Sequence, residues 1–221
     1  MLSIHGRKPA AVVIEPIARG LLKLGLSANL ITVIGAIITV LITVIFIPYG
    51  WLAAAAILSG IFAASDMVDG TMARLSGGGT KFGSTLDATC DRITDGVLFA
   101  TITWWLIYRY EAAIPLVIAS MIVLVGSQVI SYVKARGEAN NLKINGGLIE
   151  RPERLIIGLV GLGLQGFGIP FAIDIAIWIL AAGSIFTVIQ RIWIAAKDPH
   201  AQEKIAPPLG AKDLSNAIAE H

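Results

Sequence analysis

The sequence predicts an all-α integral membrane protein, with six transmembrane helices preceded by an N-terminal interfacial amphipathic helix. Three observations predict it. Of 221 residues, 56% are hydrophobic and only 14% are charged, where a water-soluble domain carries about 25% charged residues. Mean hydropathy is +0.78. Six stretches, over 29–48, 51–73, 84–108, 112–136, 152–170 and 173–196, come close to the ~20 mostly apolar residues that a span requires.

The elements follow in order. Residues 1–27 carry Arg7, Lys8, Arg19 and Lys23 and lack a continuous apolar core, so they do not read as a cleavable leader. Val12, Val13, Ile17, Leu21 and Leu24 fall near one helix face, which predicts a helix lying in the membrane interface. Pro48-Tyr49-Gly50 separates the first two spans, and Gly168-Ile169-Pro170 the last two. Pro152 suits the first turn of the fifth span. Residues 198–221 are polar, contain Pro207-Pro208, and read as a tail. The spans form one unit over 28–197, with no internal repeat and no nucleic-acid-binding pattern.

Charge orients the bundle. Of 17 Lys and Arg, all but Arg109 lie at the N-terminus, around 74–92, in the 134–154 connection, or from Arg191 onward. The positive-inside rule therefore places both termini on the cytoplasmic side of the cell membrane, as an even number of spans requires. The lone Cys90 cannot form an intrachain disulfide and is read as packing. His5, His200 and His221 lie outside the spans, which argues against histidine or cysteine nucleophile chemistry.

One feature resists this apolar background. Asp66 and Asp69 stand at i,i+3, and Asp87 and Asp91 at i,i+4, so each pair shares a helix face beside an apolar stretch. An acid costs up to ~2.5–3.5 kcal/mol at the centre of a span, and four facing one another repel. Such a cluster needs strong positive charge between its members. Oxygen-only ligands suit Mg2+ or Mn2+, and two carboxylate pairs can hold two such ions, a clamp for a transferring phosphoryl group. Gly70, Ala73, Gly77, Gly78, Gly79, Gly83 and Ser84 leave room for a substrate to approach the backbone, and Arg74 lies at the mouth. Asp95, one turn past Asp91, is read as a hydrogen-bonding support or a partner of Arg92.

The pattern D-x2-D-G-x2-A-R-x8-G-x3-D-x3-D, complete over 66–91, resembles the signature of the CDP-alcohol phosphotransferases. The resemblance implies a six-helix membrane enzyme, generally a homodimer, that displaces CMP from a CDP-alcohol with two divalent cations. It assigns Asp66, Asp69, Asp87 and Asp91 to the metals and makes Asp91 also the base for the incoming hydroxyl. It assigns Gly70, Arg74 and Thr80 to the cytidine nucleotide. Asn29-Leu30-Ile31-Thr32 resembles a further nucleotide contact, with Ala28 standing where related sequences commonly carry proline.

The acceptor must be read elsewhere. Ser131-Tyr-Val-Lys134-Ala-Arg136-Gly-Glu138 ends the fourth span, and Glu150-Arg151-Pro152-Glu153-Arg154 opens the fifth, whose N-terminus favours a phosphate. Arg191 lies near the end of the sixth. Arg154 and Arg191 fall inside expected spans, where an unpaired charge is costly, so a phosphorylated acceptor is expected to meet them. These segments resemble those of bacterial family members that transfer to an inositol phosphate. That likeness implies CDP-diacylglycerol as donor, with Ser131, Lys134, Arg154 and Arg191, then Arg136 and Arg151, on the acceptor phosphate, and surrounding membrane lipids. The alternatives are a family member acting on glycerol 3-phosphate and a cation transporter. The expected absence of matching acids in the opposite half of the bundle argues against the transporter.

Overall fold

The computed structural model describes residues 7–204, which are all-helical with no strand. Residues 1–6 of the expected interfacial helix and 205–221 of the expected tail lie outside the described residues. The helices are α1 (Arg7–Lys23), α2 (Ala28–Phe46), α3 (Leu52–Ala63), α4 (Ser65–Leu75), α5 (Lys81–Tyr108), α6 (Ile114–Ala139), α7 (Arg151–Gly166) and α8 (Ala172–Lys197).

By length and composition α2, the run α3–α4, α6 and α8 can cross a membrane, so the chain is a multi-pass membrane protein. The other two expected spans fall short for separate reasons. α5 has 28 residues but carries the charges of Asp87, Asp91, Arg92 and Asp95 within its length. α7 has 16 residues, ~24 Å at 1.5 Å per residue, against a hydrocarbon core of ~30 Å. The expected span over 51–73 is interrupted at Ala64, whose ψ of −14° breaks the helix two residues before Asp66.

Local chemistry sets the helix starts. Ser27 caps α2, its hydroxyl accepting from the Leu30 N–H at 3.3 Å, so the start holds with Ala28 in place of proline. Thr80 caps α5 in the same way, accepting from the Gly83 N–H at 2.9 Å. Pro152 does occupy the first turn of α7, where its missing N–H costs nothing.

The long helices close into a ring in the order α2, α5, α6, α8, α7, α3, each packed on its two neighbours. Phe99, Ile102, Leu106, Val123, Leu162, Ile177 and Leu180 fill its centre. Small residues allow the closest approaches: a Cβ on Gly161 would collide with Ala176 of α8, and one on Gly166 with the backbone of α3 at Ala53. α1 packs on α4, with Ile17 and Leu24 exposed.

At the end away from the acid cluster, Arg109 Nε donates to the Pro48 carbonyl at 3.0 Å, and the Tyr110 hydroxyl donates to Asp174 Oδ2 at 2.8 Å. Asp174, in the first turn of α8, corrects the expectation that this half holds no acid. It is engaged by a tyrosine rather than placed along an ion path.

Candidate active site

The acids converge because two helices present them to one another. α4 carries Asp66 and Asp69, and α5 carries Asp87 and Asp91, while α2 packs against both helices. One oxygen each from Asp66, Asp69 and Asp87 lie within 4.8 Å of one another. Three carboxylate oxygens at this spacing fit a hard divalent ion, which takes oxygen ligands at about 2.0–2.6 Å. Thr32 of α2 supports the group from beneath, its hydroxyl donating to Asp69 Oδ2 at 2.5 Å. Thr32, expected on the nucleotide side, thus also holds a carboxylate of the triad.

Asp91 is not part of that triad, and it shares its partner with Asp66. Arg151, the first residue of α7, places Nη2 2.8 Å from Asp91 Oδ1 and Nη1 2.6 Å from Asp66 Oδ2. Asp95 is fully buried and lies 2.5 Å from Arg154 Nη2, with Arg92 Nη2 and Arg151 Nε each at 3.6 Å. The expected support role of Asp95 is thus met, and its main partner is Arg154 rather than Arg92. Asp66, Asp91 and Asp95 thus interlock with Arg92, Arg151 and Arg154, while Asp69 and Asp87 have no ion-pair partner among the described residues.

A cleft of about 480 Å³ opens beside the triad, lined by Asn29 and Thr32 of α2, Asp69, Gly70 and Ala73 of α4, and Gly83 and Asp87 of α5. Gly78, Gly79 and Thr80 of the α4–α5 turn close it. Gly77 and Gly78 take φ of +94° and +119°, a backbone that side chains rarely allow. Asn29 reaches α5 only because Gly83 has no side chain: a Cβ there would stand 2.9 Å from Asn29 Oδ1. Of the expected nucleotide contacts, Asn29, Thr32, Gly70 and Thr80 line this cleft, and Leu30, Ile31 and Arg74 do not. Leu30 is exposed on the outer face, and Arg74 donates to its neighbour Thr71 at 2.8 Å.

A small cavity of about 30 Å³ lies on the other side of the acids, lined in part by Ser59, Asp66, Cys90, Asp91 and Arg151. Cys90, read as packing, is half-buried at the wall of this cavity. It is i+3 from Asp87, so it rides the edge of the same stripe.

The expected acceptor residues divide into three groups. Arg151 and Arg154 meet the acids as described. Arg191 is 4% exposed and fully engaged: Nη1 donates to the Ile130 carbonyl (2.7 Å), Nε to the Gly146 carbonyl (3.2 Å) and Nη2 to Glu150 Oε1 (2.9 Å). With Thr187, which accepts from the Ile149 N–H, and Gln190, which accepts from the Leu148 N–H, it straps the α6–α7 connection to α8. The third group lies outside this network. Lys134 stands 4.0 Å from Glu138, Arg136 is exposed, and the Ser131 hydroxyl donates to the Ser127 carbonyl at 3.3 Å. Sequence reasoning missed Glu150 as the acid of Arg191; the only signal was its place beside Arg151.

The sequence profile of the CDP-alcohol phosphatidyltransferases matches residues 26–189, which include α2 to α7 and most of α8. The chain belongs to the CDP-alcohol phosphatidyltransferase family. Among curated family members, it is 60% identical over 217 residues to the phosphatidylinositol phosphate synthase of Corynebacterium glutamicum, covering 98% of this chain and 99% of that protein. It is 44% identical over 201 residues to the phosphatidylinositol phosphate synthase of Mycolicibacterium smegmatis, covering 90% of each. The crystal structure of the Mycobacterium tuberculosis phosphatidylinositol phosphate synthase with CDP-DAG bound superposes with a TM-score of 0.86 at 46% identity, covering 89% of this chain and all of that one. The same synthase in complex with manganese and citrate gives a TM-score of 0.85 at 46% identity, covering 92% and 98%.

Proposed function

We propose that this chain transfers the phosphatidyl group of CDP-diacylglycerol to an inositol phosphate, giving phosphatidylinositol phosphate and CMP. The observation that carries the reading is the convergence of Asp66, Asp69 and Asp87 beside a cleft lined by Asn29, Gly70 and Thr80. Its relatives named phosphatidylinositol phosphate synthase, one structure of which holds CDP-DAG, support the donor and the acceptor class.

The roles follow from the geometry. The cleft holds the cytidine end of the donor, with Gly70 and the glycine turn letting phosphates approach the backbone closely. Asp66, Asp69, Asp87 and Asp91 would hold two divalent cations, Mg2+ or Mn2+, a reading that the manganese complex of a relative supports. When bound, such ions polarise the diphosphate and neutralise the charge that builds on attacking and leaving oxygens. An inositol hydroxyl attacks the β-phosphorus. The new P–O bond forms as the bond to CMP breaks, and the hydroxyl proton passes to Asp91.

Arg154 and Arg191, with Ser131, Lys134, Arg136 and Arg151, form the acceptor side. Arg154 Nε and Nη1 are buried without a hydrogen-bond partner among the described residues, which leaves donors for a phosphate.

The ring of helices supports α5 and α7 as the fifth and sixth membrane-crossing elements of a unit over 28–197, because both close the same core. The exposed Ile17 and Leu24 support α1, within 1–27, as an interfacial helix, with 198–221 as a tail. The Lys and Arg distribution supports a site facing the cytoplasm of a cell-membrane protein, and the family resemblance supports a homodimer.

Detergent-purified protein given CDP-diacylglycerol and Mg2+ should release CMP faster with inositol phosphate than with glycerol 3-phosphate. The reverse order would overturn the acceptor assignment.

A further inference from the structure

Arg151 differs from the other two buried-site arginines in its exposure. Its side chain is 24% exposed, against 0% for Arg154 and 4% for Arg191. It is the one of the three that a solute anion can reach directly. It also joins three helices, reaching from the N-terminus of α7 to Asp66 on α4 and to Asp91 and Asp95 on α5.

Its bonds are not equally replaceable. Asp95 has Arg154 at 2.5 Å and Arg92 at 3.6 Å, so it keeps its charge partners without Arg151. Asp66 has no other cation within ion-pair distance among the described residues, and Asp91 has only Arg92, at 4.0 Å. Asp66 also belongs to the carboxylate triad. A divalent ion drawn to that triad and the guanidinium of Arg151 therefore pull on one carboxylate. If the ion takes the second oxygen, two positive groups face each other across a single side chain and repel.

We propose that Arg151 couples cation binding to binding of the acceptor's phosphate: its guanidinium competes with a divalent ion for Asp66 and Asp91, and on release it pairs with that phosphate. The receiving position is ready. Arg151 opens α7, where N–H groups and the helix dipole favour an anion, and Arg154 one turn on has the two unpartnered buried donors. Linkage then requires reciprocity: an anion that draws Arg151 away must tighten the cation by the same factor that the cation tightens the anion. The proposal rests on the functional reading above for its anion, but the competition it asserts needs neither donor nor acceptor.

The test is Mn2+ titration of the full-length detergent-purified protein, followed by electron paramagnetic resonance. It uses no lipid substrate, and runs with and without inorganic sulfate as the tetrahedral anion. In the wild type, sulfate should tighten Mn2+ binding about fivefold or more. Arg151→Gln should bind Mn2+ tighter than the wild type without sulfate, and sulfate should no longer matter. Mn2+ affinity in Arg151→Gln equal to or weaker than the wild type, or a sulfate effect that survives in it, would overturn the proposal. Arg151→Lys covers the case in which the Gln protein does not fold. A lysine ammonium lacks the planar fork that meets Asp66 and Asp91 through separate nitrogens, so this variant should also bind Mn2+ tighter, and unchanged or weakened affinity would again sink the idea. A wrong acceptor assignment would leave these results untouched and would appear only as CMP release with the other acceptor.

Discussion

Thr32 of α2 and Asp69 of α4 meet at 2.5 Å, hydroxyl to carboxylate, with both side chains buried. The bond crosses between helices 37 residues apart and fixes one ligand of the triad from outside it. Groups that orient metal ligands are worth roughly 10–100-fold in metal affinity.

Replacing Thr32 by Val keeps the shape and removes the donor. Mg2+-dependent CMP release should then require about tenfold more Mg2+ for half-maximal rate. Thr32→Ser should stay close to the wild type. A Ser variant as impaired as the Val variant would mean that the γ-methyl packing, not the hydrogen bond, is what counts.

Asp95 and Arg154 are both fully buried and lie 2.5 Å apart. Removing one partner of such a pair leaves an uncompensated charge and costs about 3–5 kcal/mol. Asp95→Asn should therefore lower the melting temperature of the purified protein sharply. The double variant Asp95→Leu, Arg154→Met should recover most of that stability while remaining inactive, because the pair is replaced by apolar volume. A single variant that melts with the wild type would show that Arg154 is not left as an uncompensated buried charge when Asp95 is neutralised.

Asp198, just past α8, accepts the backbone N–H of Lys143 and of His200, both at 2.9 Å. These bonds hold its carboxyl below the usual carboxylate range. The folded value is depressed, so the stabilisation is present above the ordinary Asp value of about 3.9 and is lost as pH falls through the lower folded value. The stability gap between wild type and Asp198→Asn should be open at pH 6 and should close as pH drops below 4. A gap independent of pH across that window would count against a charge-dependent tie between the α6–α7 connection and α8.

Much of this was legible in the chain. The apolar stretches predicted helices whose observed ends differ by only a few residues, because a run of some twenty apolar residues leaves the backbone few alternatives to helix in lipid. The four spaced aspartates pointed to a divalent-cation site, since that many acids beside apolar helices call for strong positive charge. Pro152 at the start of α7 was equally readable, as it acts through local backbone geometry.

What the sequence could not disclose was pairing. Arg154 and Arg191 look alike in the chain, each an arginine within an apolar stretch, yet one faces Asp95 and the other is locked by Ile130, Gly146 and Glu150. Nor does the sequence show that Cys90 lines a small cavity beside Asp66, Asp91 and Arg151. By itself the sequence determined that this protein is helical, apolar and built around an acid cluster, because those properties follow from composition and spacing along one helix. Only the tertiary structure decided that Arg151 bridges Asp66 and Asp91 while Thr32 holds Asp69. Those contacts join residues tens of positions apart, and the order in which the helices pack around the ring selects them.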